Sequence, residues 1–287
     1  MYKKILVPLD GSATAEAVLP YVEAFAAGFK TSVELLSVID IGAMTIHVAP
    51  DKVRQMDSII VAEEKKCAEY LANVAKRFSP AATECRMIRG TPAETILEST
   101  RQERDTLIAM ATHGRSGAKR WLLGSVAEKV LRGTTNPLFL VRAAAAKTSP
   151  QRIINSLVVP LDGSPLAEQI LPTVCRWARA LDVEVTLIRA FEFPARAYVS
   201  SEAYLPDYDE MREDARREAA AYLKEKEDFL VGEGVRTVSI LTIEGAVCAV
   251  IAMSTHGRSG IQRWILGSVT EKIVRHADDP VLVVRGE

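Results

Sequence analysis

Short runs rich in Val, Ile and Leu alternate along this chain with longer stretches whose apolar positions recur every three or four residues. The short runs read as strands and the long ones as helices packed on one face. In the first half the expected strands are Lys4–Leu9, Ser32–Ile39, Glu84–Arg89, Thr106–Ala111 and Leu138–Arg142. The expected helices run from about Ala13 to Ala27, Ser58 to Phe78, Ala93 to Glu103 and Ser125 to Arg132. Strict alternation of this kind implies parallel strands joined by right-handed crossovers, with helices on both faces of an open sheet. In the Ala62–Phe78 stretch, Cys67, Leu71, Val74 and Phe78 form an apolar stripe assigned to core packing. Residues 41–57 read as a long connection, the sort of segment that serves as a lid or a partner surface.

The pattern occurs twice. Val7-Pro8-Leu9-Asp10-Gly11-Ser12 returns as Val159-Pro160-Leu161-Asp162-Gly163-Ser164, an offset of 152. Thr112-His113-Gly114-Arg115-Ser116-Gly117 returns as Thr255 to Gly260, at an offset of 143. Each is followed by Arg-Trp and then Leu-Gly-Ser-Val. The copies also close alike, on Asn136–Arg142 and Asp279–Arg285. The chain therefore divides into a first domain at 1–143, a small polar linker at 144–151 and a second domain at 152–287. Each final strand is apolar and lies at a sheet edge, so the two are expected to cover one another as an internal pseudo-dimer.

The copies differ in length at one place. Gly90 to His113 takes 23 steps and Gly245 to His256 takes 11, so the third helix is absent from the second copy. Gly245–Val250 resembles the start of that helix and Ile251–Met253 the end of strand four. A stretch omitted between Val250 and Ile251 is the expectation.

Composition narrows the class. Lys plus Arg total 36 against 37 Asp plus Glu, so no global field favours nucleic acid or an anionic membrane. Cys67, Cys85, Cys175 and Cys248 are scattered without neighbouring His, which fits reduced thiols in a cytoplasmic protein. No apolar run approaches the roughly 20 residues of a membrane span.

The chemistry concentrates at the strand ends. Gly114, nine further residues, and then Gly124-Ser125-Val126 form a loop entering a helix, with Ser125 as the expected N-cap. Free amides and the dipole there suit phosphate, and glycines allow close approach. The alternative is a plain helix start. Asp10 and Asp162 could orient Mg²⁺ on a nucleotide, cap a helix, or contact a nucleoside. His113 and His256 lack an apparent triad partner. Arg115, Lys119, Arg120, Arg258 and Arg263 read as a solvated basic loop or a phosphate clasp, and Trp121 and Trp264 as packing residues.

The pairing of Pro-x-Asp-Gly-Ser after strand one with Met-x-Thr-His-Gly, nine residues and Gly-Ser resembles the universal stress protein family over nearly the whole chain. The resemblance implies an α/β fold with two tandem parallel five-stranded sheets in the order 3-2-1-4-5, adenine nucleotide alpha hydrolase-like. It also implies ATP as ligand, a stress-response regulatory role with a protein partner, the pairing through the final strand that family members commonly show, and association of two such chains as a homodimer. By matching position, Pro8, Asp10 and Val38 flank adenosine, and Gly114, Gly124, Ser125 and Val126 meet ribose and phosphates. In the second copy the positions are Pro160, Asp162, Ala190, Gly257, Gly267, Ser268 and Val269. The family motif carries a further Gly where this chain has Ala111 and Ser254, positions that would be strained if they required a positive φ. The rival readings are a slow ATPase, or an interaction module that holds no ligand.

Overall fold

The computed structural model describes residues 2–46, 56–78, 81–112, 123–142, 154–190, 208–240, 249–254, 268–277 and 279–285. The first lobe contains β1 (Lys4–Pro8), α1 (Leu19–Phe29), β2 (Ser32–Ile39), α2 (Ile41–Ile46), α3 (Met56–Ala75), β3 (Thr83–Arg89), α4 (Pro92–Thr100), β4 (Thr106–Ala111), α5 (Ser125–Gly133) and β5 (Leu138–Val141). The second contains β6 (Ser156–Pro160), α6 (Pro165–Glu168), α7 (Leu171–Leu181), β7 (Glu184–Ile188), α8 (Tyr208–Gly232), β8 (Thr237–Ile240), β9 (Ala249–Ser254), α9 (Ser268–His276) and β10 (Val281–Val284).

Two local departures have simple causes. The helix expected from Ala13 to Ala27 opens as a 3-10 turn at Ala15–Val18 and restarts at Leu19. Pro20 has no N–H to donate and fits only in a first turn, so the restart falls beside it. Pro172 repeats the effect between α6 and α7. The connection expected at 41–57 begins instead with α2, whose entry Asp40 holds through its carboxylate, which accepts from the Ala43 amide at 2.9 Å.

Within each lobe the strands are parallel, as the alternation implied, and ordered 3-2-1-4-5, as the resemblance implied. The lobes then join. β5 pairs antiparallel with β10, through Val281↔Leu140, Leu282↔Phe139 and Val283↔Leu138, to make one ten-stranded sheet. Phe139 and Leu282 occupy equivalent places in the two copies, so a pseudo-two-fold axis passes between them. Equivalent residues also meet elsewhere on that axis. Phe25 and Trp177 pack edge to face with ring centroids 4.7 Å apart. Gly28 lies against Ala180, where an added Cβ would stand 2.9 Å from the Ala180 carbonyl oxygen. On the other face α5 and α9 exchange reciprocal ion pairs, Arg275–Glu128 at 3.3 Å and Arg132–Glu271 at 3.9 Å.

The sheet separates two cores. One, under α1, α3, α7 and α8, runs across both lobes and holds Phe25, Phe29, Phe139, Trp177 and Leu223. The other, under α4, α5 and α9, holds Leu6, Leu36, Ile96, Val130 and Val274. At the margin of the first lobe, Glu34 is buried and accepts from Lys4 at 2.5 Å and Arg86 at 2.7 Å. Lys4 also reaches Glu103 at 2.8 Å.

Val250 and Ile251, which flank the stretch expected to be omitted, both belong to β9, opposite Leu157 and Val158 of β6 in consecutive register. β9 pairs from its first residue (Ser156↔Ala249) as β4 does with β1 (Lys4↔Thr106). Strand four is therefore whole, because backbone pairing with β6 claims Ala249 and Val250 for the ladder. The lobes differ in the β3–β4 and β8–β9 connections, of 16 and 8 residues.

Two outcomes follow from this packing. Trp177→Ala should cost about 3–5 kcal/mol in a denaturant titration, because the ring is fully buried against both lobes. Both lobes should lose stability together, and an unchanged midpoint would contradict the shared core. The hydrogen bond from Lys4 holds the Glu103 carboxyl below the usual carboxylate range. A depressed folded value contributes stability that is present above the unfolded value of about 4.3 and is lost as pH falls through the folded one. An NMR titration should place Glu103 low, and Lys4→Met should return it to the ordinary range.

Candidate functional site

Strand order reverses between β1 and β4, which opens a crevice beyond their carboxyl ends. At the end of β1 the Asp10 carboxylate is held in a tight turn, its Oδ1 accepting from the Ser12 amide at 3.0 Å and the Ser12 hydroxyl at 2.6 Å. Gly11 has φ 81°, a left-handed conformation that favours glycine. The Ser12 Oγ in turn accepts from the Ala15 amide at 3.1 Å and anchors the following helical turn. The second lobe repeats this device. Asp162 accepts from the Ser164 amide at 2.9 Å, Gly163 has φ 84°, and Ser164 caps α6 through the Ala167 amide at 3.1 Å.

A cavity of about 280 Å³ fills the crevice of the first lobe, lined by Pro8, Asp10, Val38, Ala111, Ser125 and Val126 among others. A second, of about 630 Å³, adjoins it on the α3 side and shares Asp10, Val38 and Pro92. The second lies within the size range of small-molecule sites, about 300–1,000 Å³, and the first just below it. Leu36, Met110, Ile96 and Pro92 give the lining an apolar part.

The start of α5 gives it a polar part. The expected N-cap, Ser125, is instead the first helical residue, and Gly124 takes the cap position with φ −61° and ψ 147°. Gly124 is fixed by its own amide, which donates to the Thr112 carbonyl at 2.8 Å. A glycine cap offers no side-chain acceptor, and none caps the helix. The first-turn amides, on residues that line the cavity, therefore stand at the positive end of the helix dipole without an intrahelical acceptor.

Of the residues singled out by sequence, Pro8, Asp10, Val38, Gly124, Ser125 and Val126 come together around this one cavity. Gly114 lies outside the described residues, as do His113, Arg115, Lys119, Arg120 and Trp121. In the second lobe Pro160 and Asp162 stand at the end of β6, and Ala190 follows β7. Ser268 and Val269 open α9. Gly257, Gly267, His256, Arg258, Arg263 and Trp264 fall outside the described residues.

Ala111 and Ser254 are the last residues of β4 and β9 and are buried. Neither has a positive φ; among the described non-glycines only Lys30 and Asp182 do. The strain that a missing glycine would cause is therefore not present.

Sequence reading missed the walls given by α4 and α3. Pro92 and Ile96 form one, and Lys66 and Tyr70 another. Burial, with the Glu16 and Asp10 charges adding to it, pushes the Tyr70 hydroxyl well above its ordinary value. The repeat contained a clue, since Tyr70 and Glu16 return as Tyr222 and Glu168 at the same offset of 152.

Comparison with known proteins gives the family and the fold. The profile of the Universal stress protein family matches residues 1–142 and again 154–285. Universal stress protein MJ0577 of Methanocaldococcus jannaschii is 30% identical over 157 residues, covering 50% of this chain and 96% of its own. Universal stress protein Rv2005c of Mycobacterium tuberculosis is 23% identical over 295 residues, covering 98% and 96%. The crystal structure of a universal stress protein from Archaeoglobus fulgidus covers 99% of both chains with a TM-score of 0.69 at 21% identity, a likeness of fold. Another universal stress protein has been solved in complex with cAMP; it is 19% identical and covers 50% of this chain, with a TM-score of 0.35. Matched twice along nearly its whole length, on a fold that repeats in register, the chain belongs to the Universal stress protein family as a tandem member.

Proposed function

We propose that this chain binds ATP and acts as a nucleotide-dependent regulatory module of the stress response. The observation that carries the reading is the cavity of the first lobe, whose lining combines a fixed carboxylate, Asp10, with the uncapped first turn of α5. Such a site suits a ligand that is apolar and planar at one end and strongly anionic at the other. Adenosine would lie between Asp10 and Val38, against Pro92 and Ile96. The phosphates would take the amides of Ser125 and Val126, whose fixed dipoles need no reorganisation.

Mg²⁺ accompanying the phosphates would be held mainly by the nucleotide and water, the usual arrangement for this ion. Among the described residues no group of three His, Cys, Asp or Glu side chains forms a metal cage. In this reading the protein acts in the cytoplasm, and no described helix is long and apolar enough to cross a membrane. A homodimer would use surfaces other than β5 and β10, which are consumed inside the chain. The regulatory partner would sense the carboxyl rim of the sheet, where nucleotide enters.

Calorimetry with ATP tests the reading, and silence at millimolar ATP would contradict it. Ser125→Pro sharpens the test. Proline is well tolerated at the first helical position and suits the extended Gly124 before it, yet it removes one amide donor. Loss of one hydrogen bond to a charged group costs about 1.5–3 kcal/mol, so affinity should fall about 10- to 100-fold. The thermal midpoint should hold.

A further inference from the structure

We infer that the two lobes divide the work: nucleotide binds in the first lobe alone, and in the second an ion-paired cluster around Tyr222 occupies the corresponding space. The inference rests on the ATP reading above and goes on to assign stoichiometry and the residues that set it.

The offset of 152 that aligns the lobes places Ser37 at Arg189, Lys66 at Glu218 and Val74 at Lys226. In the first lobe Ser37, Lys66 and Tyr70 line the larger cavity beside Asp10. In the second, the Arg189 side chain is only 10% exposed and its guanidinium lies 4.5 Å over the Tyr222 ring. Its Nη2 is 3.5 Å from Glu218 Oε1. Lys226 approaches the same ring at 5.2 Å and pairs with Glu168 at 3.0 Å. The Tyr222 hydroxyl donates to Glu168 at 2.9 Å. Both cations are thus matched by carboxylates from the same lobe. A guanidinium stacked on the ring stands where the first lobe has a serine and open space.

A second observation is independent of these side chains. Pro92 and Ile96 of α4 close the first-lobe cavity. Between β8 and β9 the second lobe has eight residues, fewer than the nine of α4 itself. Those eight also span from β8 past β7 and β6 to β9. Ala190 replaces Val38 and is exposed. Val238, at the place of Arg86, is 48% exposed. Among its described residues the second lobe keeps the Asp-Gly-Ser turn and the helix start, with Arg189 and Ala190 in place of the Ser37 and Val38 that line the first-lobe cavities.

The full chain titrated with ATP should therefore bind about one equivalent, and Ser125→Pro should weaken all of that binding. Photolabelling the unaltered chain with 8-azido-ATP, followed by peptide mapping, should mark peptides from residues 1–142 only. The mapping requires no variant to fold. Two equivalents, a site of unchanged affinity surviving in Ser125→Pro, or ATP-competable label in peptides from residues 154–285 would each overturn the inference while leaving ATP binding intact. No binding at all would overturn both.

Discussion

Three buried residues of β5 set against three of β10 hold this molecule together. Each lobe alone would end in a short apolar strand with one side unpaired, an edge that a sheet must cover. Antiparallel pairing of the two edges satisfies both ladders at once and places equivalent residues face to face. The same symmetry brings Trp177 onto Phe25 and presses Gly28 against Ala180. The partly exposed pairs between α5 and α9 add little energy and more register. One hydrophobic core then spans both lobes, and neither lobe's contribution can be separated cleanly from the other's.

In each half the topology places a strand-end carboxylate near a helix start, because parallel strands end on the same side and the order reverses between β1 and β4, or β6 and β9. The scaffold is therefore duplicated by necessity. The wall residues of the first cavities vary between the copies, since they lie on helices and side chains that the shared strands leave free to vary. α4 and Ser37 stand on one side of the comparison, an eight-residue connection and Arg189 on the other. The margin charges diverge in the same way, with Lys4, Glu34 and Arg86 replaced by Ser156, Thr186 and Val238.

Much of this was legible from residues alone. β2 and β4 begin and end where alternation placed them, since buried parallel strands leave continuous apolar runs. The repeat revealed the pseudo-dimer, and Pro8, Asp10, Val38, Gly124, Ser125 and Val126 converge as expected. The failures share a cause, which is that local pattern yields to partners distant in the chain. Ser125 has the chemistry of an N-cap, yet the hydrogen bond from Gly124 to Thr112 moves the cap back by one residue. Val250 looked like the end of a helix start because its neighbours resemble Gly90–Thr95, and pairing with β6 makes it a strand residue. The Tyr222 cluster joins residues 168, 189, 218 and 226, which no local window contains.

The central claim is that the first turn of α5 receives an anionic phosphate chain. Backbone amide resonances of Ser125, Val126 and Ala127, followed by NMR while ATP and then adenosine are added to the full chain, test it most directly. All three should move strongly with ATP and little with adenosine, while Val38 should respond to both. Equal responses to the two ligands, or shifts confined to residues remote from α5, would contradict the account.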